Sequence, residues 1–272
     1  MSVSLFQYIL HLADNNLILG QRNSEWTGHG PVLEQDIAIT NISLDLLGQA
    51  RNFYQYAAFL YNNFDNEEKK IADLLIPRLW KTYNRDLNED DLAFLRDEKQ
   101  YFNLLLTELP KGDWAITILR QYFYSVFQLF QYQALEKSAN QHVSAIAEKS
   151  IKEVIYHVRW SGEWVIRLGD GTEESHLRMK KALDYLWPYT GELFLSGDYE
   201  IQYLTEGSGI DIKQLKNNWI EKIKPVLEEA TLSMPQENWM QRGGKEGNHT
   251  EHLGYLLAEM QHLQRTYPNV NW

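Results

Sequence analysis

The sequence predicts an all-α protein, an up-and-down bundle of long helices with smaller helices around it. Three observations predict it. Helical periodicity runs through almost the whole chain. Four segments keep that period for more than about 20 residues and are joined by short connections. No repeat or low-complexity segment divides the 272 residues, so 1–272 reads as a single domain.

The elements follow in order. A first helix covers about Leu5 to Glu25, and GHGPVLEQD breaks it, with Pro31 suited to a turn or an early helical position. The second covers about Leu33 to Tyr61. Residues 62–88 are highly charged and hold one short amphipathic piece, so an inserted helix and loop is expected there. Residues 91–109, DLAFLRDEKQYFNLLLTEL, read as one helix stopped by PKGD. Asp113 is placed to cap a helix over Trp114 to Lys137. Asn140 or Gln141 opens another, which ends at Leu168 before GDGT. A shorter helix spans about Glu173 to Thr190. Residues 191–210 are irregular, with a short β excursion expected. Helices over about 211–231 and 249–267 complete the chain, the last with Asn248 and Glu251 in the spacing of a capping box.

Composition narrows the function. The formal charge is −11 and the pI about 5.2, which disfavours nucleic acid and anionic membranes as partners. There are no cysteines, so disulfides, thiolate ligands and cysteine nucleophiles are excluded, and a cytoplasmic protein is expected. No segment stays apolar for the roughly 20 residues that a membrane span needs. The N-terminus, MSVSLFQYILHLADNN, lacks a basic region and a cleavage site for a signal peptide. Neither a Gly-rich βαβ unit nor a nucleophile elbow is present.

The second helix carries the clearest chemical question. Asn41, Asp45, Gly48 and Asn52 are spaced 4, 3 and 4, so they share one line of the helix, and that line is expected to face the interior. Inward carboxylates on long helices point to di-iron sites of ferritin-like bundles. Those take a Glu from each of two helices and a Glu-x-x-His pair from each of the other two. Residues i and i+3 share a face, so both reach one ion. Here the set is incomplete. The first helix offers Asp14. Asp45 has Gly48 in the histidine slot. Ser125 stands where a carboxylate is needed. Glu153 has Tyr156 at i+3 and His157 at i+4. The expectation is a degenerate site of Asp14, Asp45, Gly48, Ser125, Glu153, Tyr156 and His157, with no catalytic residue and no cofactor held by this chain.

Buried acids of this kind are more ordinarily paired with a cation, for which Lys152, Arg51 and Arg120 are candidates. The alternative is a standalone oxidase in which Asp14, Asp45, Glu153 and His157 hold iron or manganese. Glu259-x-x-His262 stands alone and reads as a polar contact, and His249-x-x-His252 as capping and packing. RGGKEGNHTEH has glycines ahead of a helix start, with Arg242 and Lys245 able to meet a phosphate, but not at P-loop spacing. An ordered turn competes with that reading.

Four stretches carry a resemblance: LADNNLILGQRNSEWTGHGPVLEQDIAITNISLDLLGQARNF, RDEKQYFNLLLTELPKGDWAITILRQYF, IKEVIYHVRWSGEWVIRLGDGTEES and ATLSMPQENWMQRGGKEGNHTEHLGYLLAEMQHLQR. In this order, and over most of the chain, they resemble the C-subunit family of the phenylacetyl-CoA 1,2-epoxidase complex. The resemblance implies a ferritin-like fold and a non-catalytic, structural role in aerobic phenylacetate degradation. It implies a related A subunit as partner, carrying the di-iron site that activates O₂. A reductase and other subunits of the complex would deliver electrons from NADPH. Asp45 with Gly48, and Glu153 with Tyr156, become remnants of two ligand pairs. Arg242 and Lys245 become contacts for CoA phosphates. Residues 62–88 look like an insertion relative to shorter members. A homodimer of the isolated chain stays open.

Overall fold

Ser2 starts the bundle: its hydroxyl accepts the Leu5 N–H at the head of α1 (Val3–Ser24). This helix is buried almost all round, as expected of a helix at the centre of a fold. It runs against α2 (Leu33–Asn62), and Gly20 lets the two approach, since a Cβ there would lie 3.3 Å from Leu47. The described residues are 2–236 and 239–270 of a computed structural model; Glu237 and Asn238, inside the last of the quoted stretches, lie outside them.

After α2 the chain decorates one end of the bundle. Asp65 and Glu68 form a capping box on α3 (Asn66–Ala72), a single tight turn follows at Trp80–Thr82, and Asn88 caps α4 (Glu89–Phe94). The segment is tied down by Trp80, edge-on to Tyr61 with centroids 5.7 Å apart, and by paired bonds between Asn62 and the Leu87 backbone.

The third and fourth long helices begin at their expected caps. The short α5 (Leu105–Glu108) comes before them. Asp113 accepts the Ile116 N–H at the start of α6 (Trp114–Leu135), and Asn140 accepts from His142 and Val143 at the start of α7 (Gln141–Gly169). α6 packs along α7, and α2 crosses to α7, closing the four-helix core. Around it lie α8 (Glu173–Leu186), α9 (Asp198–Thr205), α10 (Leu215–Glu229), α11 (Glu251–Met260) and α12 (His262–Thr266). The fold is all-α and ferritin-like, and no strand occurs among the described residues. None of their helices is long and apolar enough to cross a membrane.

Three sequence expectations are corrected. Residues 91–109 do not form one helix. After α4 the chain runs extended over 101–104, because the N–H groups of Phe102 and Leu104 are taken by Asp14 and Asn15 of α1, each at 2.8 Å. The β excursion in 191–210 is replaced by helical turns and α9, where Glu200 accepts the Gly197 N–H at the helix start. Asn248 does not cap the last helix: Thr250 precedes α11 and gives its N–H to Glu108 at 2.6 Å. That helix also ends early, where Gln261 turns inward to donate to Arg96 O and the Tyr101 hydroxyl.

Candidate functional site

At the middle of the bundle one side chain from each long helix joins a buried polar network. Gln128 Nε2 (α6) lies 2.6 Å from Asn16 Oδ1 (α1) and 3.0 Å from Gln49 Oε1 (α2). Tyr132, one turn on in α6, donates to Gln49 at 3.1 Å and accepts from Asn16 at 3.0 Å. Gln49 Nε2 then donates to Glu153 Oε2 (α7) at 2.8 Å. Burial pushes the Tyr132 phenol up, so it remains a neutral donor. Two turns along α1 and α6, Asn23 donates to Gln121, and Gln121 to Ser125. One turn from Gln49 and Glu153, Asp45 meets His157 Nε2 at 2.9 Å.

This is where a ferritin-like bundle would hold a di-iron centre, and the donor set does not fit one. Such a centre needs four carboxylates and two imidazoles converging on two ions. Here the centre is built from the amides of Asn16, Gln49 and Gln128 and a neutral phenol. Neutral amides leave the cations' charge uncompensated and are weak ligands for iron. Glu153 is the one carboxylate in the network and is held by Gln49. Among the described residues no group of three or more His, Asp or Glu converges as a metal site would require.

Sequence reasoning placed some of these residues correctly and others not. Ser125 and His157 are fully buried in the interior and Glu153 is at its edge. Gly48 and Tyr156 are exposed, and Asp45 is partly so. The strip through Asn41, Asp45, Gly48 and Asn52 therefore does not face inward. The inward line is Ile42, Leu46, Gln49 and Phe53. It has the same 4, 3, 4 spacing shifted by one residue, which turns it roughly 100° around the helix. Asn16, Gln49, Gln128 and Tyr132 were missed because amides and phenols carry no ligand signature in a sequence.

Asp14 belongs to a different site. Its carboxylate faces the 95–102 segment, where Arg96 holds both oxygens, Tyr54 donates at 2.5 Å and the Phe102 N–H at 2.8 Å. Asp14 and Arg96 are both fully buried. Burial, and then the neighbouring Asp14 charge, push the Tyr54 phenol well up, so it donates rather than ionises. None of the expected cations pairs with the interior acids. Arg51 reaches Glu89, and Arg120 donates to the carbonyls of Leu109 and Pro110.

The glycine turn is also occupied by the chain itself. The N–H groups of Gly243 and Gly244 both bind Glu192 Oε1, at 2.8 and 2.7 Å, and Leu105 N–H binds its other oxygen. Lys245 is buried, pairing with Glu200 at 2.8 Å and donating to Leu195 O. The expectation that Lys245 meets a phosphate is therefore corrected: an internal carboxylate already fills the anion-binding turn, and the ammonium is spent on a second one. Arg242 is exposed. His249 lies against Glu108 at 2.7 Å, whereas Glu259 and His262 are exposed.

Comparison with known proteins agrees with this architecture. Residues 2–272 match the family model described as Phenylacetic acid catabolic protein. The chain belongs to this family. It is 44% identical over 268 residues to the C subunit of the 1,2-phenylacetyl-CoA epoxidase of Escherichia coli (strain K12), an alignment that covers 98% of this chain and 99% of that protein.

Proposed function

We propose that this chain is the non-catalytic structural subunit of a phenylacetyl-CoA 1,2-epoxidase complex, held in the cytoplasm against a related A subunit that carries the di-iron centre. The observation that carries the reading is the Asn16–Gln128–Gln49 network. It closes the bundle centre with hydrogen bonds between neutral groups, in the place where a catalytic relative would present carboxylates. Although Gln128 Oε1 is buried without a partner, hydrogen bonds that tie all four long helices together at their centre rigidify a core, which suits a chain whose task is to present a fixed surface to a partner. The Escherichia coli relative, by its name a C subunit of this epoxidase, supports membership of the same kind of complex.

Co-expression with the A subunit tests it. The A subunit is expected to co-purify with this chain and to be soluble and active on phenylacetyl-CoA only in its company. An A subunit equally soluble and active alone would overturn the reading. Metal analysis is a second check: grown with added iron, the isolated chain is expected to retain far less than one iron per chain. Near-stoichiometric iron, lost on Asp45→Ala, would favour an oxidase instead.

A further inference from the structure

Arg96 and Arg120 are both fully buried, but only Arg96 has a counterion. Every guanidinium nitrogen of Arg96 is bonded, and its charge meets Asp14. Arg120, in the second turn of α6, is tied down by Nη1 alone, which donates to the carbonyls of Leu109 and Pro110 at 2.5 and 3.0 Å. Its Nε and Nη2 are buried with no partner among the described residues. These two nitrogens are neighbours on one edge of the guanidinium plane. Their N–H bonds run parallel there, an arrangement that suits one anion or the two oxygens of a carboxylate.

The surrounding charges do not neutralise this group. Burial first, and then the neighbouring Arg22 charge, push Arg120 down to about 10, and Glu25 offsets this only in part. Both guanidiniums still carry their charge at neutral pH. Glu25 is itself taken by Arg22 Nη1 at 2.7 Å, and the other Arg22 donors go to the carbonyls of Glu108 and His252. Lys111, beside the Pro110 carbonyl that Arg120 holds, donates to Glu25 O at 3.3 Å. Arg22, Lys111 and Arg120 thus gather around one acid, and the surplus charge includes the guanidinium that solvent does not reach. A buried charge without a counterion is strongly unfavourable. Water would answer the two N–H groups but not the charge.

Access selects a small ligand. The Arg120 edge lies below the surface, so a side chain of another protein does not meet it while the fold is intact. Tyr185 of α8 links it to the outside. On its inner side the Tyr185 phenol feels the charges of Arg120 and Arg22. On its outer side it lines a surface cleft of about 440 Å³ with Asp113, Ile116, Arg178 and Lys181. Two basic side chains at the mouth of that cleft draw anions toward it.

We propose that the free edge of Arg120, with Arg22 beside it, binds one small monovalent anion, of the size of chloride or formate, which enters past Tyr185 and acts as the counterion of this corner of the fold. The proposal concerns the chain's own fold and does not depend on the structural-subunit reading.

The full chain, dialysed into sodium gluconate, whose anion is too large to be enclosed, is titrated with chloride or with formate at constant ionic strength while its thermal midpoint is followed. The midpoint is expected to rise and to saturate at millimolar concentrations of at least one of the two, as it does when a ligand binds only the native state. Arg120→Met fills similar space without a charge, and is expected to keep the helical circular dichroism and to lose the rise. Arg120→Lys keeps the charge but not the paired edge, and is expected to raise the half-saturating concentration about 10-fold. Crystals grown with bromide are expected to show anomalous density beside Nε and Nη2. Density there without an anomalous signal would mean a water and would overturn the proposal. So would a midpoint that responds to neither anion, or a rise that Arg120→Met retains. Bromide in the crystal with no response in solution would mean binding at crystal concentration only, and would overturn it as well.

Discussion

Asp45 and His157 meet at 2.9 Å between α2 and α7, one turn from the Gln49–Glu153 contact, so an acid and an imidazole here bridge two helices. The ring is fully buried and the carboxylate about one-third exposed. The two should respond unequally. His157→Ala removes a buried ring and leaves a hole, and is expected to cost ~2–4 kcal/mol. Asp45→Asn keeps an acceptor at a partly wet site and is expected to cost less than ~1 kcal/mol. Urea unfolding of the two variants measures the difference, and equal losses would contradict it.

The Asp14–Arg96 pair should behave more severely. Both groups are fully buried, and removing one leaves the other charged and without its counterion. Asp14→Ala and Arg96→Met are each expected to cost ~3–5 kcal/mol. Their double variant should lose clearly less than the sum, because neither charge is then orphaned. A double-mutant cycle on the urea midpoints reads the coupling. Additive losses would mean that the pair is not one unit.

How much of this was legible in the sequence depends on which signal each residue sends. The four long helices, and the caps Asp113 and Asn140, follow from local periodicity and from side chains that bond their own next turn. The break at 101–104 does not, since it is imposed by Asp14 and Asn15, nearly ninety positions away in the chain. The direction of the polar strip on α2 was unreadable for a related reason. Two lines of the helix one residue apart have the same spacing, and although only the inward one is mostly apolar, Leu44 and Leu47 flank the polar one as well, so apolar neighbours alone do not separate them. Only the packing of Ile42 and Phe53 in the core decides which one turns inward. The glycine turn at 243–244 has the look of a phosphate cradle because its geometry does bind an anion; the sequence did not reveal that the anion is Glu192.

That turn makes a prediction of its own. Gly243 has φ +134°, and a Cβ on Gly244 would lie 2.2 Å from Asn103 O. Gly244→Ala must push the turn off the 101–104 segment and take its N–H from Glu192. A loss of ~2–4 kcal/mol is expected. Increased proteolysis between Gly191 and Lys245 should accompany it. Wild-type stability in this variant would show that the turn is not held where Glu192 places it.

Two of the buried histidines, His11 and His249, should give the pH profile opposite slopes. His11 bonds to Phe102 O at 2.6 Å and lies 4.0 Å from Glu200. Burial first, and then the Lys245 charge, depress it to about 4, although Glu200 pulls the other way. An unfolded histidine titrates near 6.5. Between those values the unfolded chain takes up a proton that the native chain refuses. Stability from His11 is therefore complete above pH ~6.5, falls as pH drops toward 4, and changes no further below. Across that window the loss is about 3 kcal/mol. His249 is the reverse. Burial opposes its charge, but the Glu108 carboxylate overcomes that and raises it. Its contribution is full below pH ~6.5 and is lost as pH rises through the raised value. His11→Asn is expected to flatten the acid limb of a plot of urea midpoint against pH, and His249→Gln to flatten the other. If the His11→Asn profile between pH 4 and 6.5 ran parallel to that of the wild type, the neutral, buried imidazole would not be the group that sets the acid slope.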